Sequence, residues 1–333
     1  MTRRVLVVDH AWPDLHIERE VLDGVDLLTP DSDDIDELAS IAPTVDAIMV
    51  NWRPLPGKVL KAATRCRTVA RFGVGVDNID VDCATDLGIV VSRVVDYCVD
   101  EVAEHTIALL FALRRNIVAF SQQTSSGDWD NTAFGPMRRI RGTSLGILGW
   151  GAIGRAVATR AHALGMQVEA FSRSSPADGW PTWVRAAQSV HELASRVDHL
   201  SIHLPLTEQT MGLVDESVLR VMRPSAVVLN AARGPIVDSE ALSKAVRERR
   251  IAGAGIDVLD GDPPSPNNPL IGMDNVIVTP HAAFNSVESV ETLRREAAHN
   301  VLAVLEGRPP SNVANPEVFD RSTMRRFESG TDE

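Results

Sequence analysis

The chain is short of several things, and each shortage excludes something. Of its 333 residues only three are cysteine, Cys66, Cys83 and Cys98. They form an odd set without metal-ligand spacing, so a disulfide scaffold is excluded and a reduced, cytoplasmic protein is expected. Cations are outnumbered, with 33 Lys and Arg against 45 Asp and Glu and a formal net charge of -12. A general nucleic-acid binder needs surplus cations to neutralise phosphates, so that class is excluded, and a membrane-surface protein with it. Lysine is nearly missing, present only as Lys58, Lys61 and Lys244; this bias carries no functional weight by itself. No apolar run reaches the roughly 18 residues that suggest a spanning helix. The opening MTRRVLVVD lacks the long apolar core and cleavage site of a signal peptide, and none is expected. His191, His199, His203 and His299 show no metal-ligand spacing, so no metal is expected.

What remains is 44% hydrophobic residues, enough for real cores and, at this length, for about two domains. Strands are predicted at Arg3 to Asp9, Asp46 to Val50, Thr68 to Phe72 and Ile89 to Val91. Helices are predicted at Pro30 to Ala42, capped by Asp31 or Ser32, and at Lys58 to Arg65. This alternation implies a doubly wound α/β domain. A long helix, Glu101 to Phe120, and a looser stretch, Ser121 to Arg141, come next. A second series starts at Ser144 with LGILGWGAIG, QVEAFSRS, DHLSIHLP, AVVLNAARG, AGAGIDVLD and VIVTPHAA. These read as six strands, the number in a dinucleotide-binding sheet. A final helix is expected at about Val287 to Glu306, and the tail after Pro316 is polar.

GWGAIG places Gly149, Gly151 and Gly154 in the GxGxxG pattern, directly after the apolar run Leu145 to Leu148 and before the helical run Arg155 to Leu164. That is the context the motif needs. Gly149 permits the tight turn, Gly151 lets a pyrophosphate approach the backbone, and Gly154 allows close packing of helix on strand. The helix start, with Ala152 and Ile153, supplies N–H groups and positive dipole. The next strand ends at Ser172, Arg173 and Ser174, where an NAD enzyme would carry an acidic residue for the ribose hydroxyls. A cation flanked by hydroxyls suits a 2′-phosphate, which favours NADP(H). NAD(H), with Arg173 covering the adenine ring, is the alternative.

Taken in order, RFGVGVDNID, DYCVDEVAEHTIALLFAL, GWGAIG, NAARGPIVD, TPHAAF and ANPEV make the chain resemble the D-isomer-specific 2-hydroxyacid dehydrogenases. Within that family the likeness is greatest to the branch of the C-terminal binding proteins. The resemblance implies two doubly wound parallel-sheet domains. One is a flavodoxin-like substrate domain made of residues 1–98 and 286–333. The other is an inserted Rossmann domain, residues 99–285. It also implies a homodimer built through the long helix and the adjoining arm.

Reduction of a 2-keto acid needs a cation for carboxylate and carbonyl, a general acid, and a nicotinamide. Arg233 and His281 each follow an apolar strand, where sites of such folds lie. Arg233 has the planar fork to hold carboxylate and carbonyl oxygens, and an imidazole at His281 is the type of side chain that can donate a proton and reclaim it. By resemblance they are the substrate-binding Arg and the general acid/base. The family's Glu partner to the His has no identical match. In Asp257-Val258-Leu259-Asp260-Gly261-Asp262-Pro263 the matching residue is Asp262, shorter by one C–C step of roughly 1.5 Å. Asp260 is the runner-up, and Asp257 matches a position on the nicotinamide side of the cofactor. The resemblance further implies that backbone N–H groups at Val74 and Gly75 hold the substrate carboxylate. By the same resemblance Arg71 matches a position that is sometimes cationic near the pocket, with Arg53 a weaker candidate of the same type. Trp52 and Tyr97, the one tyrosine, are candidate pocket walls. Thr106, Leu204, Pro205, Thr210, Ala231 and Ala232 are implied to border the cofactor, whereas His105 reads as an ordinary helix residue.

The expected function is an NAD(P)-dependent oxidoreductase acting on a small anionic 2-keto acid or D-2-hydroxy acid. The alternatives are a dinucleotide-sensing corepressor-like protein and a formate- or phosphite-type dehydrogenase.

Overall fold

The computed structural model describes residues 2–32, 34–261 and 263–325. It divides into two compact units: the chain up to Tyr97 together with the chain from Ser286 onward, and Cys98–Asn285.

In the first unit the order is β1 (Arg4–Val7), α1 (His16–Val21), β2 (Asp26–Leu28), α2 (Ile35–Ile41), β3 (Ala47–Val50), α3 (Gly57–Ala62), β4 (Thr68–Arg71), α4 (Val81–Asp86) and β5 (Val90–Ser92). Every residue of β3, β4 and β5 is buried, as strands covered by helices on both faces require. All pairings are parallel and the order is β2-β1-β3-β4-β5, the flavodoxin-like arrangement.

The second unit runs α5 (Val99–Arg114), α6 (Ile117–Ser125), β6 (Ser144–Leu148), α7 (Ala152–Ala163), β7 (Gln167–Phe171), β8 (Val184–Ala186), α8 (Val190–Arg196), β9 (His199–Ile202), α9 (Glu216–Val221), β10 (Val227–Asn230), α10 (Ser239–Arg247), β11 (Gly253–Ile256) and β12 (Val276–Val278). Its sheet is again all parallel, in the order β12-β11-β10-β9-β6-β7-β8. Its strand order reverses at β6 and β9, as in a dinucleotide-binding sheet. The two cores of this unit lie on opposite faces, one under α8, α9 and α10 and the other under α5 and α7.

The first unit is completed by α11 (Val287–Leu305), whose Leu293, Ala297 and Val301 share a core with Val5, Val7 and Phe72. An ion pair at 2.7 and 2.9 Å ties Arg294 of α11 to Glu18 of α1, which is 0% exposed. The Arg294 guanidinium also lies 5.0 Å from the Trp12 ring centroid. Among the described residues no helix is long and apolar enough to cross a membrane.

Four sequence expectations are corrected. The second sheet has seven strands, not six, and the first has five rather than four. The additions, β2 and β8, are three residues each and too short for an apolar run to mark them. The single helix expected from Glu101 to Phe120 is two, broken where Asn116 takes φ 51°, a left-handed conformation that Asn tolerates and a helix does not. The cap of α2 is Asp34, which accepts from the Asp36 N–H, whereas Asp31 and Ser32 donate their N–H groups to Glu37.

Candidate active site

The glycine turn sits where the order of the second sheet reverses. Gly149 takes φ 104°, and a Cβ there would run into the carbonyl of His203 at the end of β9. A Cβ on Gly154 would collide with the Gly149 carbonyl. Both positions therefore require glycine for packing alone. Gly151 is different: among the described residues a Cβ there meets nothing within 4 Å. It stands at the N-cap of α7, a helix of 12 residues whose first N–H groups, at Ala152, Ile153 and Gly154, lack intrahelical acceptors. An open cradle with a positive helix end fits the pyrophosphate of a dinucleotide.

Beyond β7, Ser172 is half-buried, and Arg173 and Ser174 are exposed. The Arg173 guanidinium hydrogen-bonds the Gln209 side-chain carbonyl, in the loop after β9. That loop is held by Thr210, whose hydroxyl donates to the Pro205 carbonyl at 2.7 Å and accepts from the Thr207 N–H at 2.8 Å. Leu204 packs against the core and Pro205 is exposed. Thr106 is buried, and its hydroxyl donates to the Val102 carbonyl of its own helix.

Arg233 and His281 leave the same edge of the sheet, after β10 and before α11 respectively. The Arg233 loop is braced by Asn230, the buried last residue of β10. Its amide donates to the Arg233 carbonyl at 2.9 Å and accepts from the Ala232 N–H at 3.0 Å. Ala231 and Ala232 are half-buried in that turn. Gly234 then passes so close to Leu259 and Asp260 that a Cβ would overlap their backbone. Arg233 itself is half-buried, with one guanidinium N–H on the Ala232 carbonyl at 2.8 Å.

His281 takes φ 52°, a conformation that costs about 1–3 kcal/mol and persists only where the surroundings over-determine it. Those surroundings are Asp257. Its carbonyl accepts the His281 N–H at 2.8 Å, and its carboxylate accepts the Thr279 hydroxyl at 2.6 Å and the N–H groups of Ala282 and Ala283 at 2.9 Å each. The Asp257 side chain is 1% exposed, so its reach is to this turn. The His281 ring stacks edge-on to Phe284, centroids 6.0 Å apart. Asp262 lies outside the described residues. Asp260 is exposed, in the loop that Gly234 abuts.

In the first unit the carboxyl end of β4 carries Arg71, which is 8% exposed and donates to the Phe72 carbonyl. Gly73, at φ 144°, leaves room for that guanidinium. Among the described residues the N–H groups of Val74 and Gly75 donate no hydrogen bond within the chain, which suits an anion. The next loop, Asn51 to Arg53, is pinned by the Asp9 carboxylate, which accepts all three N–H groups at 2.7, 2.7 and 3.1 Å. Trp52 is 36% exposed there.

A family model described as "D-isomer specific 2-hydroxyacid dehydrogenase, NAD binding domain" matches residues 107–283. A glyoxylate reductase of Aeropyrum pernix is 41% identical over 266 residues, 78% of this chain and 79% of that one. The chain belongs to the D-isomer-specific 2-hydroxyacid dehydrogenase family. A glycerate dehydrogenase of Methylorubrum extorquens is 36% identical over 272 residues, 80% of this chain and 84% of its own. Among solved structures, an NADPH-dependent glyoxylate/hydroxypyruvate reductase from Sinorhizobium meliloti in complex with NADP and malonate aligns at TM-score 0.84 and 28% identity, covering 98% of each chain.

In this dehydrogenase, motifs alone do not mark three residues that hydrogen-bond into these loops: Asn230, Asp9, and His105, whose Nε2 lies 2.9 Å from the Thr279 hydroxyl. For the first two a signal existed. Each is a polar residue closing a buried apolar run, VVLN and VLVVD, and a buried polar group must find partners. His105 gave no such signal, because a helix face does not announce what a distant strand end brings to it.

Proposed function

We propose that this dehydrogenase reduces a small anionic 2-keto acid of the glyoxylate or hydroxypyruvate size to the D-2-hydroxy acid, with NADPH as preferred reductant. The observation that carries the reading is that Arg233 and His281 project from loops at the same sheet edge as the open glycine cradle. Each loop is braced by a buried polar side chain, Asn230 or Asp257. Bound on the turn from Gly149 to Gly154, a nicotinamide dinucleotide supplies hydride for the 2-carbon. The first N–H groups of α7 hold its pyrophosphate. Ser172, Arg173 and Ser174 hold the ribose 2′-phosphate, and the NADPH-dependent relative supports that choice. Thr106, Leu204, Pro205, Thr210, Ala231 and Ala232 border the cofactor, and Asp257 supports its nicotinamide side.

The Arg233 guanidinium holds carboxylate and carbonyl oxygens together and draws negative charge onto the carbonyl. N–H groups of Val74 and Gly75 hold the carboxylate, with Arg71 adding positive field. The His281 ring gives its proton to the carbonyl oxygen and recovers one in the reverse direction. Asp262, or Asp260 in its place, stabilises the imidazolium. Exposed Ile117, Trp129 and Phe134, the tryptophan 88% exposed, support a homodimer through this arm. The corepressor-like and formate- or phosphite-type readings have no observation of their own in their favour.

A panel of 2-keto acids against NADPH and NADH tests the reading. NADPH oxidation with at least one acid is expected; none with either cofactor overturns it. Arg173→Ala is expected to raise KM for NADPH about tenfold or more and to leave that for NADH within about twofold, the loss of one charge-assisted phosphate contact. Equal effects on both would remove the 2′-phosphate role.

A further inference from the structure

The turn that carries His281 is anchored from outside its own strand. Asp257 Oδ1 accepts the Thr279 hydroxyl at 2.6 Å. Thr279 has one hydroxyl hydrogen, and that contact commits it. Yet Thr279 Oγ1 also lies 2.9 Å from His105 Nε2, on α5. The oxygen can only accept there, so the imidazole donates. This fixes the neutral ring of His105 in the tautomer with hydrogen on Nε2. The same nitrogen stands 3.5 Å from Asp257 Oδ1, and the His105 side chain is 24% exposed. A chain therefore runs from the His105 N–H to the Thr279 hydroxyl, to the Asp257 carboxylate, and on to the N–H groups of Ala282 and Ala283. A hydroxyl that accepts one bond donates the next more strongly.

We infer that His105 is a positioning residue for His281, acting through Thr279 and Asp257 to hold the left-handed turn. Without that donor the Thr279 hydroxyl is held from one side only, and its donation to the Asp257 carboxylate weakens. The turn then relaxes from φ 52° and carries the imidazole with it. Misplacement of a reacting group by about 1 Å costs up to about 100-fold in rate. The inference rests on His281 being the acid/base of the proposed reaction.

The test uses the full-length protein with NADPH and glyoxylate, and hydrogen exchange on the segment 279–283. His105→Leu is expected to lower kcat about tenfold with KM for NADPH within about twofold, because the cradle at Gly151 is untouched. His105→Gln, whose amide can donate to Thr279, is expected to recover to within about threefold of the wild type, and His105→Glu, which cannot donate and sets charge beside Asp257, is not. Thr279→Val is expected to match His105→Leu, and the double variant to be no worse than either single one, as members of one chain should be. The Ala282 and Ala283 amides are expected to exchange about tenfold faster in His105→Leu, with the α5 amides unchanged. Wild-type kcat and exchange in His105→Leu, no recovery with Gln, or additive losses would each overturn the inference. Exchange needs no turnover. If the wild type reduces no 2-keto acid, the proposed function fails, and the exchange data still decide whether His105 holds the turn.

Discussion

The two units share an architecture and use its most accessible feature in opposite ways. In both, a parallel sheet reverses strand order beside its first strand, at β1 and β3 in one and at β6 and β9 in the other. Such reversals leave a crevice at the carboxyl ends of the strands. In the second unit glycine keeps it clear: a Cβ at Gly151 would meet no atom of the described residues within 4 Å. In the first unit the chain occupies it with its own anion, since the Asp9 carboxylate takes three successive N–H groups of the β3 loop. Those N–H groups are the kind of donors that a phosphate would use. The same fold thus yields a ligand site or a rigid platform, according to whether a side chain or open space follows the first strand.

The first unit also places charge in its core, and that gives the largest expected effect. Glu18→Ala leaves the buried Arg294 with only the exposed Asp14 carboxylate, 3.6 Å away, which should cost about 3–5 kcal/mol of stability. The midpoint of denaturant unfolding measures it. A loss under about 1 kcal/mol, the range of exposed pairs, would mean that α1 and α11 are held by apolar packing alone.

Acid should next separate the units. His199 in the second sheet is 0% exposed, and neither ring nitrogen has a hydrogen-bond partner among the described residues. Burial, aided by the nearby Arg114 charge against the opposing Asp198, pushes its pKa down to about 4. The unfolded chain binds this proton from about pH 6.5 downward and the folded chain does not, so stability falls as pH drops from 6.5 to 4 and levels off below. For His199 alone the full loss is about 3 kcal/mol. His203, beside the glycine turn, is shifted downward by burial in the same way. Denaturation at stepped pH should show the slope, and His199→Leu should flatten it. An unchanged slope would mean that the ring finds a proton acceptor in the folded state.

The smallest of the three is Asp9→Ala, which strips a cap from three N–H groups and should cost about 1–3 kcal/mol while leaving dinucleotide affinity as it was. Amide exchange at Asn51 to Arg53 locates the damage. A weakened affinity would show that the two crevices are not independent in function.

Much of this was legible in the sequence, unevenly. Apolar runs such as Ala47 to Val50 and Val227 to Leu229 announce parallel strands because burial on both faces tolerates nothing else. GWGAIG announces its turn because three separate steric demands fall on three glycines. The three-residue strands β2 and β8 stay hidden, since pairing with a neighbour defines them more than composition does. Arg233 and His281 stand out through local motifs. Their braces do not, because Asn230 acts across a turn and His105 across 174 residues of chain. A motif marks a candidate group, and only the fold shows what braces it.

The contrast between the two crevices is most directly tested by calorimetric titration with NADPH of the wild type, Gly151→Val and Asp9→Ala. One equivalent per chain is expected for the wild type and Asp9→Ala. Gly151→Val is expected to fold as the wild type does and to bind at least about 100-fold more weakly, its side chain filling the space the pyrophosphate needs. Wild-type affinity in Gly151→Val, or a second equivalent gained in Asp9→Ala, would contradict it.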